Sequence, residues 1–209
     1  ELLLDRFERG MMLRESAGIN SPNRKQGKFH NLAKSAAKIM TENNAADSAM
    51  LELGGWDTHN NQANRLEKKL AELDKGLDAL KAGLGEHWQN TLVIVATEFG
   101  RTAKENGTAG TDHGTGGAML FAGGAINGGQ VLGGWPGLKR EQLFEERDLM
   151  PTSNSLSWIA TALAQHWQFS LVPAIHQTSV DHQKFLALPW VTKQSRPDAL
   201  AHSNGHCTA

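Results

Sequence analysis

Two pairs of aspartate and histidine residues are the side chains whose types and spacing could do chemistry together. Asp57 and His59 stand two positions apart, and Asp112 and His113 are adjacent in a glycine-rich stretch. In extended backbone, residues i and i+2 point to the same side, so Asp57 and His59 can converge on one ion. Carboxylate oxygens and imidazole nitrogens together suit zinc, manganese or iron. Each pair also has a structural interpretation, in which the aspartate closes a turn and the histidine is an ordinary surface residue.

A third polar group, Glu98, Arg101 and Thr102, follows the apolar run TLVIVAT at residues 91–97. That run is typical of a strand buried on both faces, and ligands of open α/β sheets bind beyond the carboxyl ends of strands. Arginine suits bidentate binding of phosphate, sulfate or carboxylate. Arg101, with Thr102 beside it, therefore predicts a site for an anionic small-molecule substrate. The alternative is a surface salt bridge between Glu98 and Arg101, which contributes little.

The elements that must position these residues are predicted to be strands at residues 47–53, 91–97 and 118–122. Leucines recur by fours and threes over residues 66–84, which predicts a helix between the first two strands. Strand–helix–strand is typical of a crossover in a parallel sheet. We therefore predict a three-layer α/β/α domain with a mostly parallel sheet. The expected division is a helical segment at residues 1–46, an α/β portion at residues 47–190 and an irregular tail at residues 191–209.

The composition excludes several classes of protein. The 209 residues suffice for one domain with a sizeable core, and the formal net charge of -1 argues against a nucleic-acid binder. The sequence contains no apolar run long enough to span a membrane. Its single cysteine, Cys207, excludes a disulfide framework and a zinc site built from cysteines.

Three motifs together resemble a bacterial family, domain-of-unknown-function family fifteen-oh-one. They are LGGWDTH at residues 53–59 with Gln62, TEFGRT at residues 97–102 and GTDHG at residues 110–114, and the resemblance covers about residues 51–138. That family is similar to the alkaline phosphatase superfamily, which includes sulfatases, phosphopentomutases and cofactor-independent phosphoglycerate mutases. The resemblance implies an alkaline phosphatase-like fold and a periplasmic location reached by twin-arginine export.

The resemblance also implies roles for the polar residues. Asp57 and His59 are similar to the superfamily's first metal ligands. In one alignment Glu98 takes the place of the aspartate in the paired Asp-His motif, Phe99 stands where its histidine should be, and His113 returns to the first metal. In the other alignment Asp112 and His113 are themselves the paired motif. The implied cofactor is a divalent metal, zinc, manganese or calcium, although Phe99 leaves one ion or none as alternatives. The implied metal ligands are Asp57, His59, Glu98, Asp112 and His113, with Arg101 and Thr102 binding substrate.

The expected activity is metal-dependent hydrolysis of a phosphate or sulfate ester. The superfamily's nucleophile lies on an early strand and helix, and nothing before Asp47 is typical of such a turn. We therefore expect this chain to be the C-terminal half of a longer protein, with the missing N-terminal half as its partner. One alternative is a non-catalytic ligand-binding or degenerate member of the same superfamily. Another is an α/β scaffold whose polar loops only complete turns.

Overall fold

The computed structural model describes residues 29–42 and 46–168. The expectations for residues 1–28, for residues 43–45 and for the chain after residue 168 lie outside this part. Within it the chain forms helices, short strands and two 3-10 turns, at Gly85–Asn90 and Arg140–Gln142. The remaining elements are α1 (Phe29–Thr41), α2 (Gln62–Leu84), β1 (Val93–Val95), β2 (Gly100–Arg101), β3 (His113–Gly114), β4 (Leu120–Ala122) and α3 (Ser155–Trp167).

Helices α1 and α2 pack closely because small residues line their contact. Ala33 and Ala37 of α1 are buried against Leu80 and Leu84 of α2. An added Cβ at Gly83 would lie 2.6 Å from the Ala37 Cβ, so glycine is required for this approach. The helix predicted from the leucine repeat is confirmed, and the buried end of its stripe forms the core with α1.

The β1–β4 ladder carries helices on both of its faces. Val93 packs against the α1–α2 core. Leu92 and Ile94, which alternate with Val93, instead belong to a cluster around the buried Ala162 of α3. Helix α3 begins after Asn154, whose side chain caps it by accepting hydrogen bonds from two backbone amides of the first turn.

The two described ladders are both antiparallel, whereas the sequence predicts a mostly parallel sheet. Strand β1 pairs with β4, and β2 pairs with β3. A parallel pair needs a long crossover, usually a helix. The chain between β1 and β4 contains no helix and doubles back through the β2–β3 ladder instead. The three-layer α/β/α class of the whole domain stays a prediction.

The strand predicted at residues 47–53 pairs with no other strand among the described residues. Its apolar residue Leu51 packs against the α1–α2 core. Leu51 thus supplies the contact of this segment with the helices, whereas its neighbour Met50 is 99% exposed.

Among residues 29–42 and 46–168, no helix is long and apolar enough to cross a membrane.

We predict that Leu84→Ala lowers the free energy of unfolding by about 2–5 kcal/mol, because it leaves a cavity in the α1–α2 core. Leu84 is 3% exposed, and Leu70 on the same helix is 48% exposed. Leu70→Ala is therefore the matched control and should cost much less. Urea denaturation followed by circular dichroism measures both. Equal losses for the two variants would contradict this description of the core.

Candidate metal centre

Asp57 and His59 project from one side of an extended turn. Thr58 between them is 1% exposed, whereas Asp57 is exposed and His59 is partly exposed. This alternation is what extended backbone produces, and it brings the carboxylate and the imidazole to the same side. The Nε2 atom of His59 lies 2.8 Å from Oδ1 of Asp57.

The loop at residues 106–112 holds this turn in place. An added Cβ at Gly110 would collide with the backbone of His59, so only glycine allows the loop to approach so closely. The side-chain amide of Asn106 donates to the backbone oxygen of His59 at 2.9 Å and to Oδ1 of Asp112 at 3.0 Å. The Thr108 hydroxyl donates to the same His59 oxygen at 2.7 Å.

His113 reaches the site from β3, which pairs with β2 so that His113 lies opposite Arg101. The ring of Phe99 stacks on the His113 ring, with centroids 4.9 Å apart and planes inclined by 6°. The Arg101 guanidinium lies 4.9 Å from the centre of the Phe99 ring. Phe99 therefore packs against the two polar side chains and fixes the imidazole of His113 from behind.

Asp57, His59 and His113 converge on one point. Their ligand atoms all lie within 4.8 Å of one another. Oδ1 of Asp57 is hydrogen-bonded to Nε2 of His113 at 2.8 Å and lies at the same distance from Nε2 of His59. We call these three residues the triad. One carboxylate and two imidazoles form a donor set that zinc and related ions accept.

Asp112 contacts the other nitrogen of His59. Its Oδ1 atom lies 3.1 Å from Nδ1 of His59 and also accepts the hydrogen bond from Asn106. The hydrogen bond from Asn106, followed by the one from His59, holds the pKa of Asp112 below its usual value. Asp112 therefore remains an anion at neutral pH and can orient the His59 ring.

The carboxyl group of Asp57 is stabilised as an anion. The hydrogen bond from His113 is the largest cause that lowers the pKa of Asp57, opposed in part by desolvation. Electrostatic interactions with His59, His113 and Arg101 lower the same pKa further. Asp57 therefore presents a charged oxygen to any cation at the triad.

Arg101 holds three parts of the site together. Its guanidinium donates to the backbone oxygen of Trp56 at 2.7 Å and to that of Thr111 at 2.8 Å. It also donates to Oδ1 of Asp57 at 3.2 Å. The Arg101 side chain is 16% exposed, so most of its surface faces the protein.

The family model described as "Protein of unknown function (DUF1501)" matches residues 11–170. The chain belongs to this family. The matched region contains the triad, Asp112 and Arg101, and the resemblance predicted from the three motifs is confirmed. The comparison with curated proteins and the comparison with solved structures each gave no match. The place of this DUF1501 chain in the alkaline phosphatase superfamily stays a prediction.

Not every residue that the sequence nominates in this DUF1501 chain belongs to the triad. Among the described residues, the donor cluster contains neither Glu98 nor Asp112. Glu98 is exposed at the loop between β1 and β2. Thr102 is 8% exposed, and its hydroxyl donates to the backbone oxygen of Lys104 and accepts from the backbone amide of Asp112. The Thr102 hydroxyl thus supports the loop.

Sequence reasoning missed Asn106, Arg147 and Asp148. The Asn106-Gly107 pair is a turn signal, and Asn106 does accept hydrogen bonds from the amides of Thr108 and Gly110. No local pattern marks Arg147 and Asp148, which come to the site only through pairing of a distant turn with the segment after β2.

We predict that Arg101→Lys lowers the free energy of unfolding by about 1–3 kcal/mol, because a lysine cannot supply the fork that reaches two carbonyls and a carboxylate. Arg65→Lys is the matched control, since Arg65 is exposed and donates to the Asn60 side chain alone among the described contacts. Chemical denaturation of both variants is the measurement. If Arg101→Lys behaves like the control, Arg101 does not hold the three segments together.

Proposed function

We propose that the triad binds one divalent metal ion, with zinc as the first candidate, and that the site serves hydrolysis of a phosphate or sulfate ester in the full-length protein. The observation that carries the proposal is the convergence of Asp57, His59 and His113, whose ligand atoms lie within 4.8 Å of one another. Two imidazoles and one carboxylate are a donor set of catalytic zinc sites, which leave a further position open for water or substrate.

The surroundings of the triad suit a cation. Asp57 supplies an ionised oxygen that lies 2.8 Å from Nε2 of His59 and 2.8 Å from Nε2 of His113. Histidines that bind metals usually donate their second ring N–H group to a carboxylate, which fixes the tautomer and the ring orientation. Asp112 lies where it can accept such a bond from Nδ1 of His59. We therefore assign Asp112 the role of orienting His59 and leave the ligand role to the triad.

The triad is open to solvent on one side. The exposed fractions of the Asp57, His59 and His113 side chains are 53%, 43% and 55%. A bound metal would act as a Lewis acid on the ester and help to orient it. The chain's own part is to hold the three donors, to keep both carboxyl groups ionised and to leave this face accessible to an anion.

The hydroxyls of four described threonines near the triad are bonded or buried inside the protein, and that of Thr111 is buried without a hydrogen-bond partner. The hydroxyls of Thr102 and Thr108 donate to backbone oxygens, and Thr58 is buried. We therefore assign the nucleophile to another part of the full-length protein or to water. The alkaline phosphatase-like fold and the export that the family resemblance implies belong to this proposal as well.

We predict that the 209-residue chain binds one zinc ion and that His113→Ala weakens the affinity for zinc by at least about a hundredfold, because one of three ligands is lost. The matched control is His87→Ala, since His87 is an exposed histidine outside the triad. Isothermal titration with zinc, followed by elemental analysis after dialysis, measures affinity and stoichiometry. Zinc binding that is absent, or that persists unchanged in His113→Ala, would refute the proposal.

We also predict that Asp112→Asn weakens zinc affinity by about 10–100-fold while the stoichiometry stays at one, because the carboxylate that orients His59 is lost. Asp78→Asn, at an exposed position of α2, is the control. The same titration separates the roles of Asp112. A loss as complete as that of His113→Ala would make Asp112 a ligand, and no loss would leave it without a role at the metal.

A further inference from the structure

Arg147 places a positive charge at the rim of the triad. Its Nη2 atom donates to the backbone oxygen of His113 at 3.4 Å. The Arg147 side chain is 59% exposed, so its guanidinium is available to a molecule that approaches from solvent.

A buried carboxylate fixes this exposed guanidinium. The Asp148 side chain is 6% exposed, and its Oδ1 atom lies 2.8 Å from Nε of Arg147. Its Oδ2 atom accepts from Nη2 of Arg147 at 3.3 Å and from the Thr115 hydroxyl at 3.0 Å. One hydrogen bond to Oδ2 and one close ion-pair contact to Oδ1 restrict the direction in which the guanidinium points. Arg147 is therefore held in place although it is exposed.

The turn that carries Arg147 is attached to the backbone of the site. Phe144 and Asp148 are bridged across the turn, and Asp148 is also bridged to Thr102. Glu145 and Glu146 within it have φ values of 50° and 56°, which residues with a Cβ rarely adopt. Such conformations persist where the surroundings enforce them, and they concentrate at functional sites.

Arg147 and Arg101 differ in what their donors reach. Arg101 directs its guanidinium at two backbone oxygens and at Asp57, and its side chain is 16% exposed. Arg147 directs Nε and Nη2 at Asp148 and at the His113 backbone oxygen, and among the described contacts its Nη1 has no protein partner. An anion that approaches Asp57 and Asp112 is repelled unless a cation stands beside them, and guanidinium suits phosphate and sulfate.

We propose that Arg147, held by Asp148, binds the phosphate or sulfate group of the substrate beside the triad. The inference rests on the proposed function, because it assigns to Arg147 the anion-binding role in that site. It differs from the sequence-based expectation, which gives this role to Arg101 and Thr102.

The test is a titration of the 209-residue chain with inorganic phosphate and, separately, with sulfate, each with and without zinc. We expect Arg147→Met to weaken phosphate binding by at least about tenfold, since a charge-assisted contact from Nη1 is lost. The control is Arg140→Met, which removes an exposed arginine that pairs with Glu146 of the same turn. Zinc affinity, measured in parallel, should be the same in both variants and in the wild type.

A second variant, Arg147→Lys, keeps the charge and loses the fork, and we expect it to weaken phosphate binding as well. If Arg147→Met does not fold, Arg147→Lys tests whether Arg147 binds phosphate. Phosphate binding that is unchanged in the variants, or absent from the wild type with and without zinc, overturns the inference. Zinc binding that stays intact in that case leaves the proposed metal site standing. Binding of phosphate that depends on Arg147 without any zinc binding supports the inference and refutes the metal site.

Discussion

One carboxylate oxygen connects the parts of this site. Oδ1 of Asp57 lies 2.8 Å from His59, 2.8 Å from His113 and 3.2 Å from Arg101. These partners come from its own turn, from β3 and from β2. These three groups share one anion, and each would lose that partner if Asp57 were removed. Asp57 thus connects the turn to the two short strands, while the loop at residues 106–112 is attached to the same turn through the His59 backbone oxygen.

The sequence predicted the helices better than the sheet. The leucine repeat predicted α2, because helix periodicity is a local signal. Strand pairing depends on distant partners. The apolar run at residues 91–97 does form a strand beside residues 118–122, but its direction relative to β4 follows from the route of the intervening chain. Residues 47–53 carry a similar pattern but form no strand, and Leu51 among them packs against the helices.

The part of the candidate site that depends only on the spacing of residues along the chain could be predicted from the sequence. Asp57 and His59 lie on the same side of an extended backbone, and Thr58 between them is buried on the other side. His113 could be nominated from its sequence motif. Which residues could bind an ion and which orient their neighbours depends on the folded geometry, which residue spacing in the sequence does not reveal. Asp112 faces the far nitrogen of His59, and Phe99, which looked like a lost ligand, stacks on His113. Arg147 follows β2 by more than forty positions and reaches the site through tertiary pairing.

We propose above that Asp57, His59 and His113 together hold one metal ion. The most direct measurement is anomalous diffraction at the zinc absorption edge from crystals of the zinc-loaded chain. We predict a single peak at about 2.0–2.2 Å from Nε2 of His59, Nε2 of His113 and a carboxylate oxygen of Asp57. Asp112 should accept from Nδ1 of His59 without touching the ion. A peak elsewhere, or no peak in a crystal soaked with excess zinc, would show that the triad is not a zinc site.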